Sequence, residues 1–455
     1  MPLFGKQRVV IIGGNAAGMT AASRLRRLRP DVQVVVLEKS RYVSYSICGA
    51  PYFVEGLVSR EEELLALTPE TARAERGINA RTEWEATEIL TGRREVLARD
   101  ARTGLEERLP YDQLLVSTGY RPALQSIHGA DHPSVFKISR LEDVVAIRKF
   151  IDDRHPGTAI VVGGGYIGLN MAESLVKKGI SVQVLERNEQ IFSAVDPDIA
   201  ALIAGECAAN GIRIGYFEPV REIIFHSDTP SGVVTSSARY HADMILLDTG
   251  VVPDVALAQK AGLAIGRSGA IEVNPRMETS QDGIYAAGNC AEAKHRITGK
   301  ALASALGTHA VQQGRVAGEN MAGMRTEYPG VLQTSITRFF SLSVARTGLS
   351  EGEARGMGFN CESASVGTAS RAGYFPPREK VTVKIVFDRE TEKILGAQIA
   401  GSPWTCKRID VAVGAISSGL TLTQLAQLDL AYSPPHAPLW DPLQIAANVG
   451  LRKLR

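Results

Sequence analysis

The sequence predicts an α/β protein: two Rossmann-like dinucleotide-binding units and a C-terminal α+β domain. Three observations carry this. A strand, a glycine-rich turn, a helix, a second strand and an acid succeed one another in the first forty residues. The same series returns near residue 160, and after about residue 326 the texture changes to short alternating strands followed by helices. A length of 455 residues suits about three domains.

In the first unit, Arg8–Ile12 is a continuous apolar run suited to a buried parallel strand. Gly13-Gly-Asn-Ala-Ala-Gly18 forms the turn, Met19–Leu28 has helical spacing, and Val32–Leu37 leads to Glu38. In the second, Thr158–Val162 is the strand, Gly163-Gly-Gly-Tyr-Ile-Gly168 the turn and Leu169–Lys178 the helix, and Ser181–Leu185 leads to Glu186. First glycine and acid are 25 residues apart in one copy and 23 in the other, close to the roughly 20 that the fold expects. One such turn is weak evidence. Two in the same setting are strong evidence. Tyr111–Gly119 and Ala242–Gly250 then echo each other as strands ending in Thr-Gly, each with a proline three residues on. Such ends deliver backbone to a ligand at the carboxyl edge of a sheet. Gly283–Asn289 reads as a further strand and Ala303–Met321 as a helix.

Composition excludes several classes. Hydrophobic residues make up 44% and charged residues 22%, which fits neither a disordered nor a fibrous chain. The net charge of +2 leaves no footprint for nucleic acid or a membrane surface. No apolar run reaches the roughly 18 residues of a membrane span. Met1–Gln7 lead into the first strand without an apolar leader, so a cytoplasmic location is expected. Cysteines stand at 48, 207, 290, 361 and 406, with no CxxC pair. That excludes a disulfide scaffold and a four-thiolate metal centre, and no metal is expected.

On the two glycine turns, the Thr-Gly strands, Ala286-Ala-Gly-Asn-Cys290, Ser44-Tyr-Ser-Ile-Cys48-Gly, Lys407-Arg-Ile-Asp410 and Asp429-Leu-Ala-Tyr-Ser-Pro-Pro435, the chain resembles the FAD-dependent pyridine nucleotide-disulfide oxidoreductases. It is most similar to their single-cysteine branch of coenzyme A-disulfide reductases, NADH oxidases and peroxidases, and persulfide reductases. The resemblance implies FAD on residues 1–122 and 245–325, NAD(P)H on residues 123–244, and an interface domain over 326–455 that makes a homodimer. It assigns FAD to Gly13, Gly14, Asn15, Ala17, Gly18, Glu38, Lys39, Thr118, Gly119, Gly288 and Asn289. It assigns the nicotinamide dinucleotide to Gly163, Gly165, Tyr166, Ile167, Gly168, Glu186 and Gly250. Asn15 departs from the usual glycine, and its tolerance of left-handed backbone lets the turn survive. Asn289 stands where the family has Asp; it keeps an acceptor oxygen but loses the charge, so FAD is expected to stay bound with a weaker hold. Cys290 reads as a small core residue. Glu186 would repel a 2′-phosphate, which favours NADH; Arg187 beside it keeps NADPH as the alternative.

Cys48 matches the redox cysteine, with its thiolate expected to be favoured by a helix N-terminus beside the isoalloxazine. Dithiol members carry a second cysteine five residues away, but Val43 stands there, so Cys48 must cycle through a mixed disulfide, a persulfide or a sulfenic acid. Ala16 replaces the histidine of the oxidases and peroxidases, which turns the expectation toward thiol chemistry. Tyr432 and Tyr374 match tyrosines that relatives present from the partner subunit, where a phenol protonates or stabilises a leaving thiolate. His436 lacks the acid of the dithiol reductases' His-Glu pair and reads as a pocket wall. Thr20, Arg24 and Arg27 share one helix face and, with Ser44 and His309, match positions that contact coenzyme A in specific relatives. Ile47 in place of Asn and Trp440 in place of Lys make that pocket more apolar. The expected substrate is thus a small disulfide, persulfide or polysulfide, including coenzyme A derivatives. The alternatives are an NADH oxidase or NADH:quinone reductase using the flavin directly, and a FAD-bound redox-sensing or interaction protein.

Overall fold

The computed structural model describes residues 7–123 and 127–455; the residues expected to form a leaderless N-terminus, Met1–Lys6, lie outside that range. The chain divides into two compact units. The first comprises residues 1–125, 136–155 and 249–331, and the second residues 126–135, 156–248 and 332–455.

The first unit is built on a five-stranded parallel sheet in the order Ile284–Ala286, Gln113–Val116, Arg8–Ile12, Gln33–Glu38 and Ile78–Thr82. Its central strands are continuous apolar runs because both faces are covered. Val9, Ile11, Val34 and Val36 enter one core with Leu25 and Met321, while Val10, Ile12, Val35 and Leu37 enter another with Leu114 and Ile284. The helix over Ala16–Leu28 packs on the helix over Gly307–Met321 through small residues. A Cβ on Gly314 would stand 2.3 Å from the carbonyl oxygen of Ala17, so only glycine permits this approach. The expected helix over Ala303–Met321 starts later, at Gly307, because Ala301–Ala303 pairs as a strand with Glu292–Lys294.

The second unit repeats the design, with parallel neighbours in the order Arg213–Gly215, Ser181–Leu185, Thr158–Val162 and Met244–Leu247. Its tail forms an antiparallel sheet in the order Ser335–Phe339, Leu342–Gly348, Ile394–Gly401, Lys380–Asp388 and Cys361–Ala369. Helices follow, ending in Pro442–Lys453. The α/β class, the two Rossmann-like sheets and the α+β tail are thus as expected. Among the described residues no helix is long and apolar enough to cross a membrane, and no cluster of metal-ligating side chains occurs.

Candidate active site

Each glycine turn leaves its strand through a conformation and a space that side chains cannot share. Gly13 has φ +101°, and a Cβ there would lie 2.1 Å from the carbonyl oxygen of Ser117. Gly163 has φ +105°, and its Cβ would lie 2.0 Å from the carbonyl oxygen of Asp248. At the closing glycines the helix rides on the turn itself: a Cβ on Gly18 would meet the Gly13 oxygen at 1.9 Å, and one on Gly168 the Gly163 oxygen at 2.3 Å. Both helices begin earlier than their periodicity indicates, at Ala16 and Tyr166, because the turn feeds straight into the first helical residue. Their first backbone N–H groups have no partner within the helix, which suits an anion such as a pyrophosphate.

The two acids hold the turns in shape. Glu38 is buried and accepts the N–H of Gly14 at 2.7 Å and of Ser40 at 2.8 Å. Glu186 accepts the N–H of Gly164 at 2.9 Å and both the backbone and side-chain N–H of Asn188. A carboxylate has about four lone-pair sites, so each keeps acceptor capacity for a ribose hydroxyl.

Asn15 serves a different purpose from the one expected. Its φ is −108°, outside the left-handed region. Its side-chain oxygen instead accepts the N–H of Tyr45 at 3.1 Å, and the Gly14 carbonyl accepts the N–H of Ser44 at 2.8 Å. Ser44 carries the positive φ, +51°. The opposite side of this loop pairs with residues 64–66: Ser46 donates to Leu64 and Ala66 to Ser44. Cys48 is thereby held at the end of a loop stitched to the first glycine turn.

Cys48 lies in a single 3-10 turn, Ile47–Gly49, that leads into the short helix Ala50–Glu55. All five cysteines are free thiols, and Cys48 is the exposed one. Desolvation of the thiol by its surroundings raises its pKa, and a backbone hydrogen bond opposes that. The expected thiolate preference is therefore not produced by these surroundings. Cys290 is fully buried against the carbonyls of Val116 and Ala287, the core role expected of it. Burial pushes Cys207 and Cys406 up to about 12, leaving both inert.

The Thr-Gly ends form a reciprocal crossing. Tyr120–Pro122 pairs antiparallel with Val251–Pro253; the Thr118 hydroxyl donates to Asp254 and the Thr249 hydroxyl to Ala123. Gly119 and Gly250, at φ +75° and +92°, turn the chain there, and Lys39 forms an ion pair with Asp254 at 3.4 Å. Gly288, at φ +87°, donates its N–H to Gln313 at 2.8 Å. Beside it, Asn289 Oδ1 is buried without a hydrogen-bond partner. A buried acceptor left unsatisfied is costly, and a ligand hydroxyl would complete it.

Tyr374 and Tyr432, 58 residues apart in sequence, come together. The neighbouring Tyr374 hydroxyl raises Tyr432 above its ordinary value. The loops carrying them are joined where Ala372 donates to the Pro434 carbonyl. The proposed coenzyme A face is mixed. Arg24 is tied at 2.7 Å to Glu319, which is 2% exposed and also holds Arg315, while Thr20 is half-buried and Arg27 exposed. His309 is hydrogen-bonded to the Ser304 hydroxyl at 2.6 Å, and burial lowers it to about 4, so it is neutral at physiological pH.

Residues 7–314 match the family model for pyridine nucleotide-disulphide oxidoreductases, and residues 334–442 match the dimerisation domain of the same family. The chain belongs to the pyridine nucleotide-disulphide oxidoreductases. Enzymes of this family use FAD and a nicotinamide dinucleotide, and the glycine turns, Glu38, Glu186 and the orphaned Asn289 oxygen fit such groups. The chain is 38% identical over 449 residues to an NAD(P)H sulfur oxidoreductase (CoA-dependent) of Pyrococcus abyssi, covering 98% of each chain. It is 35% identical over 448 residues to an NADH oxidase of Methanocaldococcus jannaschii, covering 98% of this chain and 99% of the relative. A solved NAD-dependent persulfide reductase from A. fulgidus superposes with a TM-score of 0.95 at 36% identity, covering 98% of this chain and 83% of that one.

One residue at the site escaped the sequence reading. Asp248 follows the strand Met244–Leu247, lies part-buried beneath the second turn and accepts the Gly168 N–H at 2.6 Å. Alignment of the two Thr-Gly strands, which pairs it with Ser117, is the signal that would have found it.

Proposed function

We propose that this chain is a homodimeric FAD enzyme that uses NADH to reduce a low-molecular-weight disulfide, persulfide or polysulfide, including coenzyme A derivatives, through Cys48. The observation that carries the reading is Cys48 itself: the exposed thiol among five, on a loop hydrogen-bonded to the first glycine turn. The names of the Pyrococcus relative and the A. fulgidus structure support sulfur as the acceptor.

The first turn with Glu38, Thr118, Gly119, Gly288 and Asn289 would hold FAD, and the second with Glu186 would hold NADH. Bound FAD supplies the two-electron relay between NADH and sulfur. The Cys48 sulfur attacks one sulfur of a substrate RSSR, forming Cys48–S–S–R and releasing RS⁻, which takes up a proton. Two electrons and one proton then release the second RSH and restore the Cys48 thiolate. The sum is NADH + H⁺ + RSSR → NAD⁺ + 2 RSH; a persulfide RSSH gives RSH and H₂S. Tyr432 and Tyr374 of the partner subunit would supply the proton, as neighbouring phenols that each carry an O–H to donate. Exposed Tyr374, Trp404, Leu439 and Trp440 are the apolar surface that a second subunit would cover.

Anaerobic kinetics with an acceptor panel test the reading. NADH consumption with coenzyme A disulfide or a persulfide is expected at a kcat/KM about a hundredfold or more above that with quinones. NADH is expected to exceed NADPH by roughly tenfold, because the pinned Glu186 carboxylate repels a 2′-phosphate. Quinone as the preferred acceptor, or oxygen in a parallel aerobic assay, would replace this reading with the NADH oxidase that the Methanocaldococcus relative's name favours. Equal kcat/KM for the two nucleotides would show that Arg187 offsets Glu186.

A further inference from the structure

The two glycine turns are copies of one design, and a single position beneath them differs in kind. In the first copy, Val116 pairs with Ile12 at the strand end, and the next residue, Ser117, donates its hydroxyl to the carbonyls of Ile12 at 2.8 Å and Gly13 at 3.0 Å. In the second, Leu247 pairs with Val162, and the next residue is Asp248. The backbones correspond: Gly13 crowds the Ser117 carbonyl as Gly163 crowds that of Asp248. A carboxylate has no hydrogen to donate, so the Ser117 arrangement cannot form. Asp248 Oδ2 instead accepts the N–H of Gly168 at 2.6 Å and lies 3.0 Å from the place of a Cβ on either Gly165 or Gly168. That puts an acid within the first turn of the helix Tyr166–Lys177, whose N–H groups and dipole would otherwise be available to a pyrophosphate.

We propose that Asp248 is a positioning residue that couples proton uptake to nicotinamide dinucleotide binding: neutral, it leaves the helix terminus to the pyrophosphate; ionised, it holds a competing negative charge there. The inference rests on the reading of Gly163–Gly168 as the nicotinamide dinucleotide turn. Binding to the ionised form takes one proton from solvent onto the carboxylate. The surroundings place the transition within reach: burial pushes the Asp248 carboxyl up to about 6, the Glu186 carboxylate at the end of Ser181–Leu185 raises it, and the Gly168 N–H opposes them. The turn and the helix start face the carboxyl with backbone, and Glu186 is the charged side chain acting on it. The first site, with a hydroxyl in this place, has no such titration.

Calorimetric titration of the holoenzyme with ADP-ribose tests the proposal, since this probe carries the pyrophosphate without a reducible ring. Between about pH 5.5 and about pH 8 the wild-type affinity is expected to weaken roughly tenfold, the effect of one charge pair across a helix turn. Proton uptake, read from buffers of different ionisation enthalpy, should peak at about half a proton per chain within the transition and fall away on either side of it, as a tenfold change in affinity requires. Asp248→Ser, which copies the first site, and Asp248→Asn should keep the acid-limit affinity throughout and take up no proton. A wild-type affinity independent of pH without proton uptake, or variants that retain the wild-type slope, would overturn the proposal. The wild-type uptake decides it even if a variant does not fold. Absence of ADP-ribose binding at every pH would instead overturn the assignment of the turn, and the proposal with it.

Discussion

Replacing Cys48 with serine is expected to lower disulfide and persulfide reduction by about a thousandfold or more, because a hydroxyl cannot form the mixed disulfide on which turnover depends. Hydride delivery from NADH uses no sulfur atom of the chain, so NADH consumption with oxygen or quinone should continue at the wild-type rate. The split between the two acceptors is the informative result. The substitution is nearly isosteric and sits at an exposed position, so stability should be unchanged. The other cysteines offer no substitute, since Cys207, Cys290, Cys361 and Cys406 are all buried. Steady-state rates with each acceptor check this; a serine variant that reduces its sulfur acceptor at the wild-type rate would remove Cys48 from the mechanism.

The second large effect is expected at Gly13. The wild type should purify yellow with about one FAD per chain, as one FAD turn per chain requires. In Gly13→Val the flavin content should fall below about a tenth of that, because a β-branched residue at positive φ is strained and its Cβ would lie 2.1 Å from the Ser117 carbonyl oxygen. The turn must then move, and with it the start of the helix Ala16–Leu28. Flavin absorbance against protein concentration measures this, with circular dichroism reporting whether the chain has folded. If the valine variant does not fold, Gly13→Ala, with the same clash and a smaller side chain, should show the same loss. Full flavin content in a folded variant would contradict the assignment of this turn.

The sequence made legible whatever rests on local spacing. Glycines, helix period and acid fixed both turns, and period-two alternation marked the antiparallel tail. What it left obscure depends on partners far along the chain. Arg24 read as a substrate contact because Glu319, which captures it, lies 295 residues away. Asn15 read as a left-handed turn residue, whereas its side chain ties down Tyr45, thirty residues on. The Cys48 thiol was expected to be favoured as thiolate by a helix terminus, but the residue sits in a 3-10 turn where desolvation opposes ionisation. The two tyrosines were found separately, and their proximity is a product of folding alone.

On the proposed reading, the desolvation that opposes ionisation at Cys48 would be offset by groups beyond its own surroundings. Bound FAD and the partner subunit's Tyr432 are the groups that the proposed assembly would supply. This ties the chemistry of the thiol to assembly, since the tyrosine pair belongs to the tail that matches the dimerisation domain.

The most direct test of Cys48 as the sulfur-carrying centre is peptide mass spectrometry of the holoenzyme after exposure to coenzyme A disulfide or a small persulfide without NADH. The account predicts one adduct per chain, on the peptide containing Cys48, which disappears when NADH is added. An enzyme that turns over these acceptors with Cys48 unmodified, or with an adduct that NADH does not clear, would contradict it.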